Sequence, residues 1–218
     1  MKNSPPPRSR RKNWGSPAPS FTARTPISST AFSGIKTNLR TDKWGGDWKG
    51  RTEFACEIIR RSRKLVGPDF PLLIRLSQWK QQDFNVRAAE NPAELEKWLA
   101  PLVEAGIDIF HCSQRRFWEP AFEDSDLNFA GWTKKLTGKP TISVGSVGLS
   151  GEFTAAYSGR SLKAREPRCA YRAYGEEEFD LIAVGRALLS DPEWVVKIRD
   201  GRTADLKDFT KDALATLY

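Results

Sequence analysis

PTISVGSVG (residues 140–148) and, further on, FDLIAVGRALLSDPEW (residues 179–194) each run an apolar, β-branched stretch into a glycine. Such stretches favour strands. The first ends on Gly145 and Ser146, the second on Gly185 and Arg186. A glycine at a strand end lets backbone N–H groups approach an anion, a helix starting there adds its positive end, and a guanidinium adds a charged fork. Either glycine alone could serve only to turn the chain into a helix. Two such ends in series favour a phosphate site formed by Gly145, Ser146, Gly185 and Arg186.

Working back from these strands, the chain alternates helix and strand. RTEFACEIIRRSRKLV (residues 51–66) is amphipathic, stops at Gly67 and Pro68, and precedes the apolar run PLLIRLS (residues 71–77). Asn91 and Pro92 open the helix PAELEKWLAPLVEAG (residues 92–106), with Asn91 as cap, Pro101 expected to kink or shorten it, and Gly106 closing it before IDIFHC (residues 107–112). A polar, aromatic loop over 113–127 leads to a helix at Phe129–Leu136, the Gly138 and Pro140 boundary, and the strand TISVGS (residues 141–146). Residues 149–178 carry little pattern. After FDLIAVGR (residues 179–186), the stretch ALLSDPEWVVKIRDG predicts a helix interrupted early by Asp191 and Pro192 and ended by Gly201.

Strands separated by helical spans of this length return as parallel neighbours through right-handed crossovers, which predicts an α/β fold. Four strand units over about 130 residues make roughly half of the ~250 residues of an eight-fold barrel. The body therefore reads as the C-terminal half of a TIM (β/α)8 barrel, strands five to eight with their helices. The two glycine ends then follow strands seven and eight, where such barrels place phosphate.

The formal charge of +8 comes from 35 basic against 27 acidic residues. Its location matters more than its size. Residues 1–36 hold seven basic residues and no acidic one, leaving 28 against 27 in residues 37–218. The same leader has six of the fourteen prolines and no helical or strand period, so it is expected to be disordered, and the electrically balanced body gives no reason to expect a nucleic-acid partner. No apolar run is long enough for a bilayer and no signal-peptide core is present, so no membrane partner is expected either. Cys56, Cys112 and Cys169 are far apart, odd in number and in no metal or redox spacing, which suits a reducing cytoplasm. The single histidine, His111, has no partners with which to build a metal site, so no metal is expected.

Taken in order, TNLRTDKWGG (37–46), VGPDFPLLIRLS (66–77), AGIDIFHCS (105–113), PTISVGSVG (140–148) and FDLIAVGRALLSDPEW (179–194) resemble the old yellow enzyme family of FMN-dependent NAD(P)H:flavin oxidoreductases, which includes oxophytodienoate reductase-like proteins. The resemblance covers residues 37–218. It implies FMN as cofactor, NAD(P)H as co-substrate and a small activated alkene, such as an enone, as substrate. It implies that Arg75 faces the pyrimidine edge of the flavin, a reading that Arg75's place between Ile74 and Leu76 supports, since an unpaired charge there would be costly. It places the FMN phosphate against Gly145, Ser146, Gly185 and Arg186. Phe117 and Trp118 either form the family's aromatic lid on the substrate side or pack as core. The family's strand-four histidine motif and N-terminal tyrosine are missing: His111 lies in the strand-six motif and reads as a packed or polar-edge histidine, and no catalytic acid carries over.

One account of the leader is a change of reading frame near Lys36. Permitted codons for residues 11–36, read from each third base, can spell a text containing HGAH followed by YLID, as the family would have there. Ile35, Lys36 and Thr37 can be encoded with a run of adenines, where a one-base slip rejoins the frame. The alternative is a disordered native arm. Either way the chain reads as truncated, with unpaired strand edges that favour aggregation or a homo-oligomer. The competing functional readings are a non-catalytic FMN- or phosphate-binding half-barrel, and another barrel enzyme that binds a phosphorylated substrate.

Overall fold

The computed structural model describes residues 20–23, 34, 38–79, 86–151, 155, 158, 160–166 and 175–215. Its centre is one parallel sheet of five strands in the order β1 to β5: β1 (Ser20–Ala23), β2 (Leu73–Ser77), β3 (Ile109–Ser113), β4 (Thr141–Val144) and β5 (Leu181–Ile182). Among the described residues the α-helices are α1 (Trp48–Val66), α2 (Pro92–Glu104), α3 (Phe129–Thr137), α4 (Arg186–Ser190) and α5 (Trp194–Arg199). The parallel α/β order expected from the sequence is the one observed.

Each longer helix begins on a side-chain cap. Asp47 accepts from the Gly50 N–H, Asn91 from the Glu94 N–H and Asn128 from the Gly131 N–H, each at 2.9 Å. Glu94 returns the favour to the Glu90 N–H at 3.0 Å, so the entry to α2 is tied from both sides. Asp47 starts α1 three residues before the stretch expected from the sequence, at Trp48. Pro101 neither ends nor shortens α2, which runs to Glu104; the Pro101 carbonyl still accepts from the Ala105 N–H. Gly106, at φ 102°, then turns the chain into β3, a backbone angle that suits glycine.

Two expectations are corrected. The leader is not wholly irregular, because Ser20–Ala23 pairs in parallel with Leu73–Leu76. That pairing gives β2 a neighbour on what would otherwise be an open edge; the rest of the expected disorder lies mostly outside the described residues. The last strand is also much shorter than FDLIAVGR. Only Leu181 and Ile182 pair with β4, the Ala183 N–H adds one bond to the Ser143 carbonyl, and the chain turns at Gly185 into α4. Among the described residues β5 pairs only with β4, which itself ends at Val144. The expected interruption at Asp191 and Pro192 is present: it separates α4 from α5.

Alternation along the strands divides the sheet into two faces. Ile74, Leu76, Phe110 and Cys112 are buried in a core with Cys56 and Ile59 of α1, Leu95, Trp98, Leu99 and Leu102 of α2, and Phe129 of α3. The intervening residues Leu73, Arg75, Ile109, His111, Ser113, Ile142 and Val144 form the other face and are only half-buried. A second core of Phe117, Val147, Leu149, Leu162, Ala187, Trp194 and Phe209 lies beyond the C-terminal ends of the strands. Among the described residues, no helix is long and apolar enough to cross a membrane.

Candidate functional site

The half-buried face is mostly apolar, yet its middle holds a polar group. Strand register sets Arg75 beside His111, and Ser77 beside Ser113. The Arg75 Nη2 donates to the Ser113 hydroxyl at 3.2 Å, so the guanidinium runs diagonally from its own row to the next row toward the C-terminal ends of the strands. Those ends carry the glycine turns. β4 and β5 are hydrogen-bonded neighbours, so Gly145 and Gly185 leave the same edge of the sheet on adjacent strands.

Gly145 is buried, and a Cβ there would lie 2.6 Å from the Gln114 carbonyl oxygen and 3.1 Å from the Phe117 nitrogen. The glycine is thus required by the close approach of the loop after β3, whose Phe117 N–H donates to the Gly145 carbonyl at 3.1 Å. Ser146 is a non-glycine residue at φ 55°, and its hydroxyl donates to the Arg115 carbonyl at 2.9 Å. Backbone strain of this kind concentrates where structure over-determines it, including binding sites. Gly185 is exposed, and a Cβ would meet nothing there, so close packing does not explain it. Arg186 opens α4 and sets its guanidinium carbon 5.7 Å from the centre of the Phe209 ring.

Phe117 and Trp118 part company. Phe117 is buried in the second core, whereas Trp118 is 41% exposed and meets it edge-on at 5.2 Å between ring centres. Packing therefore accounts for Phe117, and Trp118 is left with an accessible indole. Cys56 and Cys112 are buried free thiols that burial pushes up to about 11 and about 12, so neither forms a ready nucleophile at neutral pH. Among the described residues, no group of three potential ligands gathers to hold a metal.

His111 is more than a packed histidine. Burial, and then the charge of Arg75, push it from 6.5 down to about 4, and its buried Nε2 makes no hydrogen bond among the described residues. Since the folded value lies below the unfolded one, the unfolded chain takes up the extra proton as pH falls between them. Stability supplied by this neutral histidine is present above about pH 6.5 and drains away toward about pH 4. A His111→Gln variant, compared with the wild type by urea denaturation across that window, should lose less stability on acidification; parallel curves would contradict the assignment. The sequence alone could place His111 and Ser113 on one face by alternation. Setting that face beside Arg75 required the register between β2 and β3.

A parallel α/β sheet with a cation on one face and glycine turns at adjacent strand ends is the arrangement in which α/β folds commonly place ligands at their strand ends. The comparisons narrow this to a family. The model of the NADH:flavin oxidoreductase / NADH oxidase family matches residues 30–205. An NADH oxidase of Thermoanaerobacter brockii is 31% identical over 184 residues, covering 81% of this chain and 25% of that protein. A cinnamate reductase of Clostridium sporogenes is 27% identical over 180 residues, covering 74% and 24% respectively. The old yellow enzyme homologue from Zymomonas mobilis superposes with a TM-score of 0.67 at 14% identity, covering 91% of this chain and 50% of that one. Morphinone reductase superposes at 0.60 with 19% identity, covering 84% and 43%. The chain belongs to the NADH:flavin oxidoreductase / NADH oxidase family, a family of enzymes, and spans about a quarter of the length of the curated relatives just named.

Proposed function

We propose that this chain supplies the flavin-binding side of an FMN-dependent, NAD(P)H-using oxidoreductase that reduces an activated C=C bond. The observation that carries the reading is Arg75, a cation set on an otherwise mostly apolar sheet face and directed toward the strand ends. The residues present fit such a ligand. Among the described residues the buried His111 Nε2 has no hydrogen-bond partner beside Arg75, as expected where a polar ring edge binds. When bound, FMN supplies the hydride chemistry. Arg75 would favour negative charge on the pyrimidine edge, and the Gly145–Ser146 and Gly185–Arg186 turns would hold the phosphate, with Arg186 turning from Phe209 to do so. Trp118 would cover the substrate side. No residue of this chain is assigned as proton donor.

The substrate class is supported by relatives named cinnamate reductase and NADH:acrylate oxidoreductase, names that denote α,β-unsaturated acids. The architecture we propose is the C-terminal half of a TIM barrel, with residues 1–36 an out-of-frame leader; a high-accuracy read of the DNA through the codons for Lys36 to Asn38 tests the leader. The function is tested by titrating the chain with FMN and following flavin fluorescence, then adding NADPH or NADH with and without an enone. Saturable FMN binding with enone-dependent nucleotide oxidation is the expected result. Binding without oxidation would favour the binding-only half-barrel, and no binding would remove the flavin reading.

A further inference from the structure

We infer that Ser113 is a positioning residue, holding the Arg75 guanidinium toward the C-terminal ends of the strands. The inference rests on the flavin reading above. Arginine has a long side chain with many rotamers, so a hydrogen bond to the guanidinium limits the directions that a cation in mid-strand takes. Ser113 supplies such a bond from one row further along the sheet, at 3.2 Å from Nη2. The direction follows from the register: Arg75 pairs with His111, and Ser113 lies two residues beyond His111, about 6–7 Å farther toward the glycine turns.

The surroundings make the pair selective for one task. On the same face Leu73, Ile109, Ile142 and Val144 are apolar, and Ser77, two residues along β2, gives its hydroxyl to the Trp79 carbonyl at 2.9 Å. The nearest alternative cation in the register is His111 itself. Protonated, it would place a second positive charge beside the guanidinium and drive Arg75 from its place; neutral, it leaves Arg75 as the charge presented to a ligand and adds a ring nitrogen at its side. A serine at position 113 thus does more than end a strand, because its hydroxyl holds one arm of the guanidinium on the side of the glycine turns.

The test uses the full chain and FMN as probe, with binding and the midpoint potential of the bound flavin as readouts. Ser113→Ala should weaken FMN binding about tenfold, the scale of one hydrogen bond to a charged group, and lower the potential. Ser113→Thr, which keeps the hydroxyl, should restore both. In an Arg75→Leu background, Ser113→Ala should add little, since Ser113 acts through Arg75. A Ser113→Ala protein with wild-type affinity and potential would overturn the inference, as would a full additional loss in the double variant. Failure of the wild type to bind FMN would overturn the flavin reading and this inference together, whereas FMN binding that is indifferent to Ser113 would overturn the inference alone.

Discussion

Lys197→Ala should lower the unfolding free energy by about 3–5 kcal/mol, the cost of leaving a buried charge without its partner. Pro192 disfavours helix at the residue before it, so Asp191 leaves the helical path between α4 and α5 and carries its carboxylate inward. There Lys197 Nζ donates to both carboxylate oxygens, at 2.8 and 2.9 Å, and to the Asp205 carbonyl at 3.1 Å, while the Lys207 N–H donates to the same carboxylate at 3.2 Å. The two side chains are only 7% and 1% exposed. Burial works to raise the Asp191 pKa, but the Lys197 hydrogen bonds, the Lys207 N–H and the lysine charge outweigh it and hold the carboxyl below its ordinary value. The stability this gives is present above the unfolded value of 3.8 and is lost as pH falls through the depressed folded value. Without Lys197, burial dominates and the carboxyl protonates more easily, so the deficit of the variant should shrink on acidification. Urea denaturation at neutral and mildly acidic pH measures both effects. The double variant Asp191→Leu with Lys197→Met should recover much of the loss, because a buried apolar pair often replaces a buried ion pair without penalty. A loss below about 1 kcal/mol for Lys197→Ala would mean that the pair behaves as a surface one.

What the sequence made legible was periodicity and punctuation. Asn91 with Pro92, Gly67, Gly106 and Gly138 act locally, through caps and turns that involve only their neighbours, and they mark the ends of α1, α2 and α3 where the structure has them. The apolar strands were legible for the same reason. The length of β5 was not, because how far a strand runs depends on its neighbour, and β4 ends at Val144. Of the candidate site, Arg75 stood out as a charge inside an apolar run, and the glycines as strand ends. Ser113 had no such signal: its importance lies in a hydrogen bond to a residue 38 positions earlier, which only the register of β2 against β3 creates. Gly145 was noticed on grounds that differ from the packing seen, since its lack of a Cβ first of all admits the loop carrying Gln114 and Phe117. The Asp191–Lys197 pair was likewise out of reach, because its burial depends on the segment at 205–207 folding back over it.

The N-terminal ends of the strands carry a device repeated along the chain, and its two copies differ in strength. Asp108, just before β3, accepts from the Leu72 N–H at 2.7 Å and from Arg63 at the end of α1, the helix that precedes β2. Asp180, just before β5, accepts from the Thr141 N–H at 2.8 Å and from Lys134 near the end of α3, the helix that precedes β4. In both, an aspartate in front of one strand pins the start of its neighbour and the helix leading into it. Lys134 makes its one side-chain bond at 3.0 Å from a position 31% exposed. Arg63 is 21% exposed and also donates to the carbonyls of Gly67, Pro68, Phe70 and Gly106, at 2.9, 3.2, 2.6 and 2.9 Å. Those carbonyls belong to the turn after α1 and the turn before β3, so one side chain joins two connections that also meet through the bonds between Leu72 and Asp108. Arg63→Ala should therefore cost about 3 kcal/mol or more, since several acceptors and a carboxylate lose their donor at once, and Lys134→Ala about 1 kcal/mol. Arg63→Lys should recover only a small part, because an ammonium is a point donor and cannot span the fork of acceptors that the guanidinium reaches. Thermal unfolding of the three variants measures the order. Equal losses for Arg63→Ala and Lys134→Ala would show that the shared aspartate geometry, and not the wider reach of Arg63, sets the strength of this end of the sheet.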